Sequence, residues 1–261
     1  MPVEPGITQR KDTRVPRLST LCPDRTVRAT FLFLLILGGL LVVCHVVAGV
    51  ANKIYANEVT AVLRDFFGLE REGSVTTWFS SLQLALMAVV CGVIFVGERA
   101  SHSATKSSLV WLGFLLLFLF LSLDETAQVH ERLDQILHAL RTPVGASAEG
   151  TTGVTIYSYL MLYVPVLAGV IAVMMRFFSH RVKNRASCFL LAAGLVGFAM
   201  KLGLEPIEAW AGDTTWLGHH IMFEIVILQV YALILGETLI LIALLNHAVA
   251  GNGRSRVIWR T

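Results

Sequence analysis

Apolar positions fall in six long blocks: Ala29–Val50, Thr77–Gly97, Ser108–Leu123, Thr155–Phe178, about Cys188–Leu204 and about His220–Leu245. A helix needs roughly 20 apolar residues to cross ~30 Å of hydrocarbon, so each block predicts one transmembrane helix. The third turns polar after Leu123 with no Pro or Gly to stop it. The first carries small residues at Ala48–Ala51, as a signal-peptide cleavage site would. Its apolar region is too long for that and follows a 28-residue polar tail, so it reads as a retained span.

Two of the intervening stretches have helical periodicity of their own. In residues 57–70, Val59, Leu63, Phe66 and Phe67 repeat at helical spacing around Arg64 and Asp65. In residues 124–140, Val129, Leu133, Ile136, Leu137 and Leu140 form one stripe, and Asp124, Gln128, Glu131, Asp134, Gln135 and His138 form the opposite one. Both predict amphipathic helices lying in the membrane interface. Thr142–Gly153, rich in Gly, Ala, Ser and Thr, reads as a loop. The expected fold is therefore all-α, a polytopic integral membrane protein. A cytoplasmic basic tail (1–28) leads into a six-helix transmembrane domain (29–250) and a cytoplasmic C-terminal tail (251–261). No internal repeat is visible.

Composition agrees with the pattern. Only 15% of residues are charged, 55% are hydrophobic and the mean hydropathy is +0.69, against about 25% charged in average soluble domains. This excludes a disordered chain, a broad basic nucleic-acid-binding face and an ordinary soluble domain. The net charge of +3 is a topology signal. With the N-terminus inside, the inner segments hold 15 Lys and Arg and the outer loops 5, so both termini are expected in the cytoplasm. Trp78, Tyr157, Trp210 and Trp216 then fall near the outer interface and Trp111 near the inner one, as an aromatic belt requires. The four cysteines, Cys22, Cys44, Cys91 and Cys188, form no C-x-x-C pattern and read as small hydrophobes. With no eukaryotic targeting signal, the expected location is a bacterial inner membrane.

Ionisable residues inside spans cost roughly 2.5–3.5 kcal/mol each near the helix centre, so each needs a reason. Here they gather in the outer half, with the polar Gln83 among them: His45, Asp124 with Glu125, His130 and Glu131, then Lys201, Glu205 and Glu208, then His219, His220 and Glu224. Glu237 lies deeper and is expected to find a partner, either as a proton relay or in an interhelical hydrogen bond. Lys201, Glu205 and Glu208 share a helical face if the helix passes Pro206, which disfavours helical geometry at Glu205. His220 and Glu224 are at i, i+4, and Tyr231 continues their face. Span five also carries Ala193, Gly194 and Gly197, which predict a close helix–helix contact.

These residues match no H-E-x-x-H, G-x-S-x-G, Walker or dinucleotide pattern. Their inventory still suits a divalent metal, zinc with mixed ligands or a carboxylate-bridged iron or manganese pair. Crowded carboxylates at one low-dielectric depth need a cation or shared protons. The expectation is a membrane-embedded, metal-dependent hydrolase or oxidoreductase acting on an apolar or lipid-like substrate. Its metal ligands would be Asp124, Glu205, His220 and Glu224, with Glu131 and Glu208 as catalytic groups. A blander reading is that these groups are the solvated faces of interfacial helices. Two other functional classes fit the same residues: a proton- or cation-coupled transporter using Glu237, and an accessory subunit of a larger membrane complex. The lipid bilayer is the implied partner, with a second copy or another membrane subunit compatible with it and no nucleic acid.

Overall fold

The computed structural model describes Cys22 and residues 24–69, 73–100, 105–129, 132, 152–182, 184–212 and 216–258. These form seven helices: α1 (Arg25–Tyr55), α2 (Glu58–Phe66), α3 (Val75–Ala100), α4 (Thr105–Ala127), α5 (Thr152–Arg181), α6 (Arg185–Gly212) and α7 (Trp216–Ile258). Four stretches are long and apolar enough to cross a bilayer: Arg25–Tyr55, Val75–Ala100, Ser107–Ala127 and Ile225–Ala250. Together with an all-α fold, they point to an integral membrane protein.

Local chemistry sets the ends. Asp24 caps α1 by accepting from the amides of Thr26 and Val27 at 2.8 and 3.1 Å. The helix closes at Ala56, in the left-handed region at φ 41°, whose N–H returns to the Asn52 carbonyl. Asn57 then opens α2 with a reciprocal capping box to Thr60. Ser74 accepts from the Thr77 amide at the start of α3, and Asn184 accepts from the Ala186 amide at the start of α6.

Burial follows stripes. On α1, Val27, Phe31, Leu34, Gly38, Leu41, His45 and Ala48 face inward, while Phe33 and Ile36 are 63% and 71% exposed. Large apolar side chains facing outward along α1, α3 and α4 are what a hydrocarbon surround permits and water does not. By contrast, α7 is buried on every side over Ile240–Leu244 and packs against α1, α3 and α6.

The helices meet through small and hydroxyl residues. Across α6 and α7, a Cβ on Gly194 would stand 2.6 Å from the Gly236 carbonyl oxygen, and one on Gly197 2.9 Å from the Gly236 Cα. The predicted close contact at Gly194 and Gly197 is thus present, and Gly236 is its other half. Ser81 and Ser122 each donate to the other's backbone carbonyl, at 2.8 and 2.9 Å, and so lock α3 to α4. At the end of the bundle where α3 finishes, Glu98 accepts from Ser107 and from the Trp111 indole. Arg181 approaches the same carboxylate at 3.6 Å, and Trp111 stacks on His247.

One open point is settled and two local expectations are revised. At Pro206 the helix continues, and α6 runs through it to Gly212. Span three does not continue as a single surface helix: α4 ends at Ala127 and Gln128 takes φ 55°. Residues 130, 131 and 133–140 of that predicted helix, including Glu131, lie outside the described residues. Trp111 is no belt residue; it is 0% exposed, inside an aromatic cluster with Phe114, Phe177 and Phe178.

Candidate functional site

The contacts fix how the helix ends are grouped. Gly38 of α1 meets Ile234 of α7 and Cys22 hydrogen-bonds Asn246, so α1 runs antiparallel to α7. Gly194 and Gly197 set α6 antiparallel to α7, and the Ser81–Ser122 and Glu98–Ser107 pairs set α4 antiparallel to α3. The ends of α1, α4 and α6 and the starts of α3 and α7 therefore gather at one end, where α6 connects to α7.

At this end two levels are distinct. In the hairpin, the glycine contacts pair residue 194 with 236–240 and residue 197 with 232–236. The same antiparallel register brings the backbone of Glu208 to the level of Glu224, and that of Glu205 about one turn deeper. With α6 unbroken at Pro206, Lys201, Glu205 and Glu208 fall on one helical face. His220 and Glu224 likewise share a face in the first turns of α7. For Glu205, Glu208, His220 and Glu224 the structure describes the backbone alone.

The second level lies deeper. Glu237 is 1% exposed, and its Oε1 accepts from the Ser80 hydroxyl at 2.6 Å. One position along, Thr238 donates to Gln83 Oε1 at 2.9 Å. Glu237 thus has the partner expected of it, an interhelical hydrogen bond. The network still leaves Glu237 Oε2, Gln83 Nε2 and Thr76 Oγ1 buried with no protein partner. Each such atom costs about 1–3 kcal/mol.

Asp124, 8% exposed, belongs to this second level. It stands two residues beyond Ser122, which bonds Ser81, the neighbour of Ser80. Glu224 is thirteen residues from Glu237, about 20 Å further along α7 at 1.5 Å per residue. The register therefore puts the backbones of Glu205, Glu208, His220 and Glu224 at the hairpin end, and Asp124 nearer the level of Glu237. Tyr231 is 41% exposed and does not extend the inward face of α7. His45 is a packed histidine whose Nδ1 accepts from the Leu69 amide at 3.3 Å. Among the described residues no group of three His, Cys, Asp or Glu side chains is placed to hold a metal.

Sequence reasoning singled out Gln83 and Glu237 but passed over Ser80, Thr76 and Thr238. A usable signal was present. Thr76, Ser80 and Gln83 recur at i, i+4 and i+7 on α3, in line with the buried Met87, Cys91 and Ile94. A core stripe that turns polar in its first turns marks a lined interior.

No curated protein and no solved structure is significantly similar to the chain. The profile of one family, described only as a domain of unknown function (DUF8692), matches residues 34–225, a stretch holding Ser80, Gln83, Asp124, Glu205, Glu208, His220 and Glu224; the chain belongs to that family.

Proposed function

We propose that the chain crosses a membrane six times, α5 and α6 joining the four clearer spans, with both termini cytoplasmic in a bacterial inner membrane. On this reading the α6–α7 end faces outward, and the protein is a membrane-embedded, metal-dependent enzyme of the hydrolase or oxidoreductase class. The observation that carries the proposal is the α6–α7 hairpin. Its glycine-tight register and three-residue connection bring the stretches bearing Glu205, Glu208, His220 and Glu224 to one end of two packed helices.

Three carboxylates and an imidazole from two rigid elements suit a borderline or hard divalent ion. In this proposal Glu205, His220 and Glu224 would hold the ion and Glu208 would serve as general base, with Glu131 as the further base. Asp124, about two to three turns deeper, would position the substrate or the polar core instead of binding the same ion. A zinc, iron or manganese ion held there supplies Lewis acidity. An apolar or lipid-like substrate would enter laterally from the bilayer. A second reading, proton- or cation-coupled transport, is favoured by one observation, the fully buried carboxyl of Glu237.

Elemental analysis of the detergent-purified protein, beside a His220→Ala/Glu224→Ala variant of matched folding, tests the enzyme reading. Near-stoichiometric metal that is lost in the variant supports it. No metal in either protein, before or after reconstitution, removes it.

A further inference from the structure

The α3–α7 interface holds more polar atoms than it pairs. On α3, Thr76 and Ser80 are 2% exposed and Gln83 1%. On α7, Glu237 and Thr238 meet Ser80 and Gln83. Three atoms of this interface lack a protein partner and are of mixed kind: a carboxamide nitrogen of Gln83, the Thr76 hydroxyl and a carboxyl oxygen of Glu237. A bare cation would confront the amide donor. Water donates to one neighbour and accepts from another, and so satisfies all three.

We propose that Glu237 is a buried proton-binding site, opened toward the α6–α7 end of the bundle by water hydrogen-bonded to Gln83 and Thr76. An ionised carboxylate held by one hydroxyl in an apolar interior is too poorly solvated to persist without a counter-charge. A proton on Oε2 answers that need and gives Oε2 a donor for the water. The step is a plain proton transfer. The O–H bond at Oε2 breaks, the proton passes to the adjoining water, and the remaining charge rests against the Ser80 hydroxyl; uptake is the reverse. The charged groups whose field reaches Glu237 are Glu125 of α4 and Lys201 of α6. From α3 the described facing groups are neutral, and the buried titratable group of α1, His45, sits by Leu69, nearer the α6–α7 end. The site uses none of Glu205, Glu208, His220 or Glu224, so it goes beyond the metal-enzyme reading and stands whether or not that reading holds.

The test is infrared spectroscopy of the protein in lipid nanodiscs, reading the carbonyl stretch of protonated carboxyl groups in H2O and D2O. One such band is expected that shifts down in D2O and is lost in Glu237→Gln. In Ser80→Ala, which keeps the acid should Glu237→Gln fail to fold, the band should persist at higher frequency because its carbonyl has lost a donor. Thr76→Val should slow the deuterium shift without removing the band. Absence of the band in the wild type overturns the proposal. So does a band that never shifts in D2O, which marks a sealed structural bond, or one whose frequency Ser80→Ala leaves unchanged.

Discussion

Gly194 and Gly236 face each other across α6 and α7 so closely that a Cβ added to either would stand 2.6 or 2.7 Å from the other's carbonyl oxygen. Backbone against backbone leaves nothing soft to yield, and in a bilayer such van der Waals fit is a main source of helix association. The contact also sets the register that places the candidate hairpin residues.

Gly194→Leu or Gly236→Val should therefore lower stability by about 1–3 kcal/mol or more, the usual cost of overpacking. Gly203→Ala, on α6 with nothing within 4 Å of an added Cβ, should leave it unchanged or slightly raised. Thermal unfolding in one detergent, comparing the three variants, checks both directions.

Ser81 and Ser122 exchange side-chain bonds to each other's carbonyl. Interhelical hydrogen bonds in membranes average about 0.6 kcal/mol, with a maximum near 1.7. A double-mutant cycle of Ser81→Ala and Ser122→Ala should show losses of that order that are less than additive, because both bonds belong to one unit. Strict additivity would mean that the pair does not act together.

At the opposite end, Trp111 is fully buried while Arg181 is 42% exposed. Removing Trp111 should cost about 3–5 kcal/mol, as for other core aromatics. Arg181→Ala should cost less than about 1 kcal/mol, because solvent screens its pairing with Glu98. Matched denaturation curves would separate a packed aromatic core from an ionic latch. Equal losses would argue for the latch.

Cys22 precedes the first span and is 0% exposed. Burial pushes its thiol above the usual range, and a hydrogen bond to Asn246 and the nearby Arg28 offset this in part. A raised value means less thiolate at a given pH. In a background with Cys44, Cys91 and Cys188 replaced by Ser, alkylation at pH 8 should be slower than for a free thiol, and its rise should come at higher pH. Asn246→Ala, which removes a group that favours the thiolate, should shift that rise upward again.

The hydropathy pattern made the helical, membrane-embedded character legible because hydrocarbon imposes it on every residue of a span. The small-residue run at Gly194 and Gly197 was legible for a similar reason, since close backbone approach requires missing side chains. One local expectation failed where tertiary context overrode a local preference: Trp111, placed at an interface by its residue type, is enclosed by Phe177, Phe178 and His247. At Pro206 the sequence left two outcomes open, and α6 runs through it.

What the sequence determined by itself was the kind of solvent this chain lives in, the positions of its long helices and the need of Glu237 for a partner. Those follow from transfer free energies that act position by position. Tertiary structure alone decided that the partner is Ser80, 157 residues away in sequence. It also decided that Asp124 sits near the level of Glu237, about two to three turns deeper than the backbones of Glu205, Glu208, His220 and Glu224. Helical spacing shows which residues share a face; depth relative to another helix is set by the register of packing, here by contacts such as Gly194–Gly236 and Ser81–Ser122.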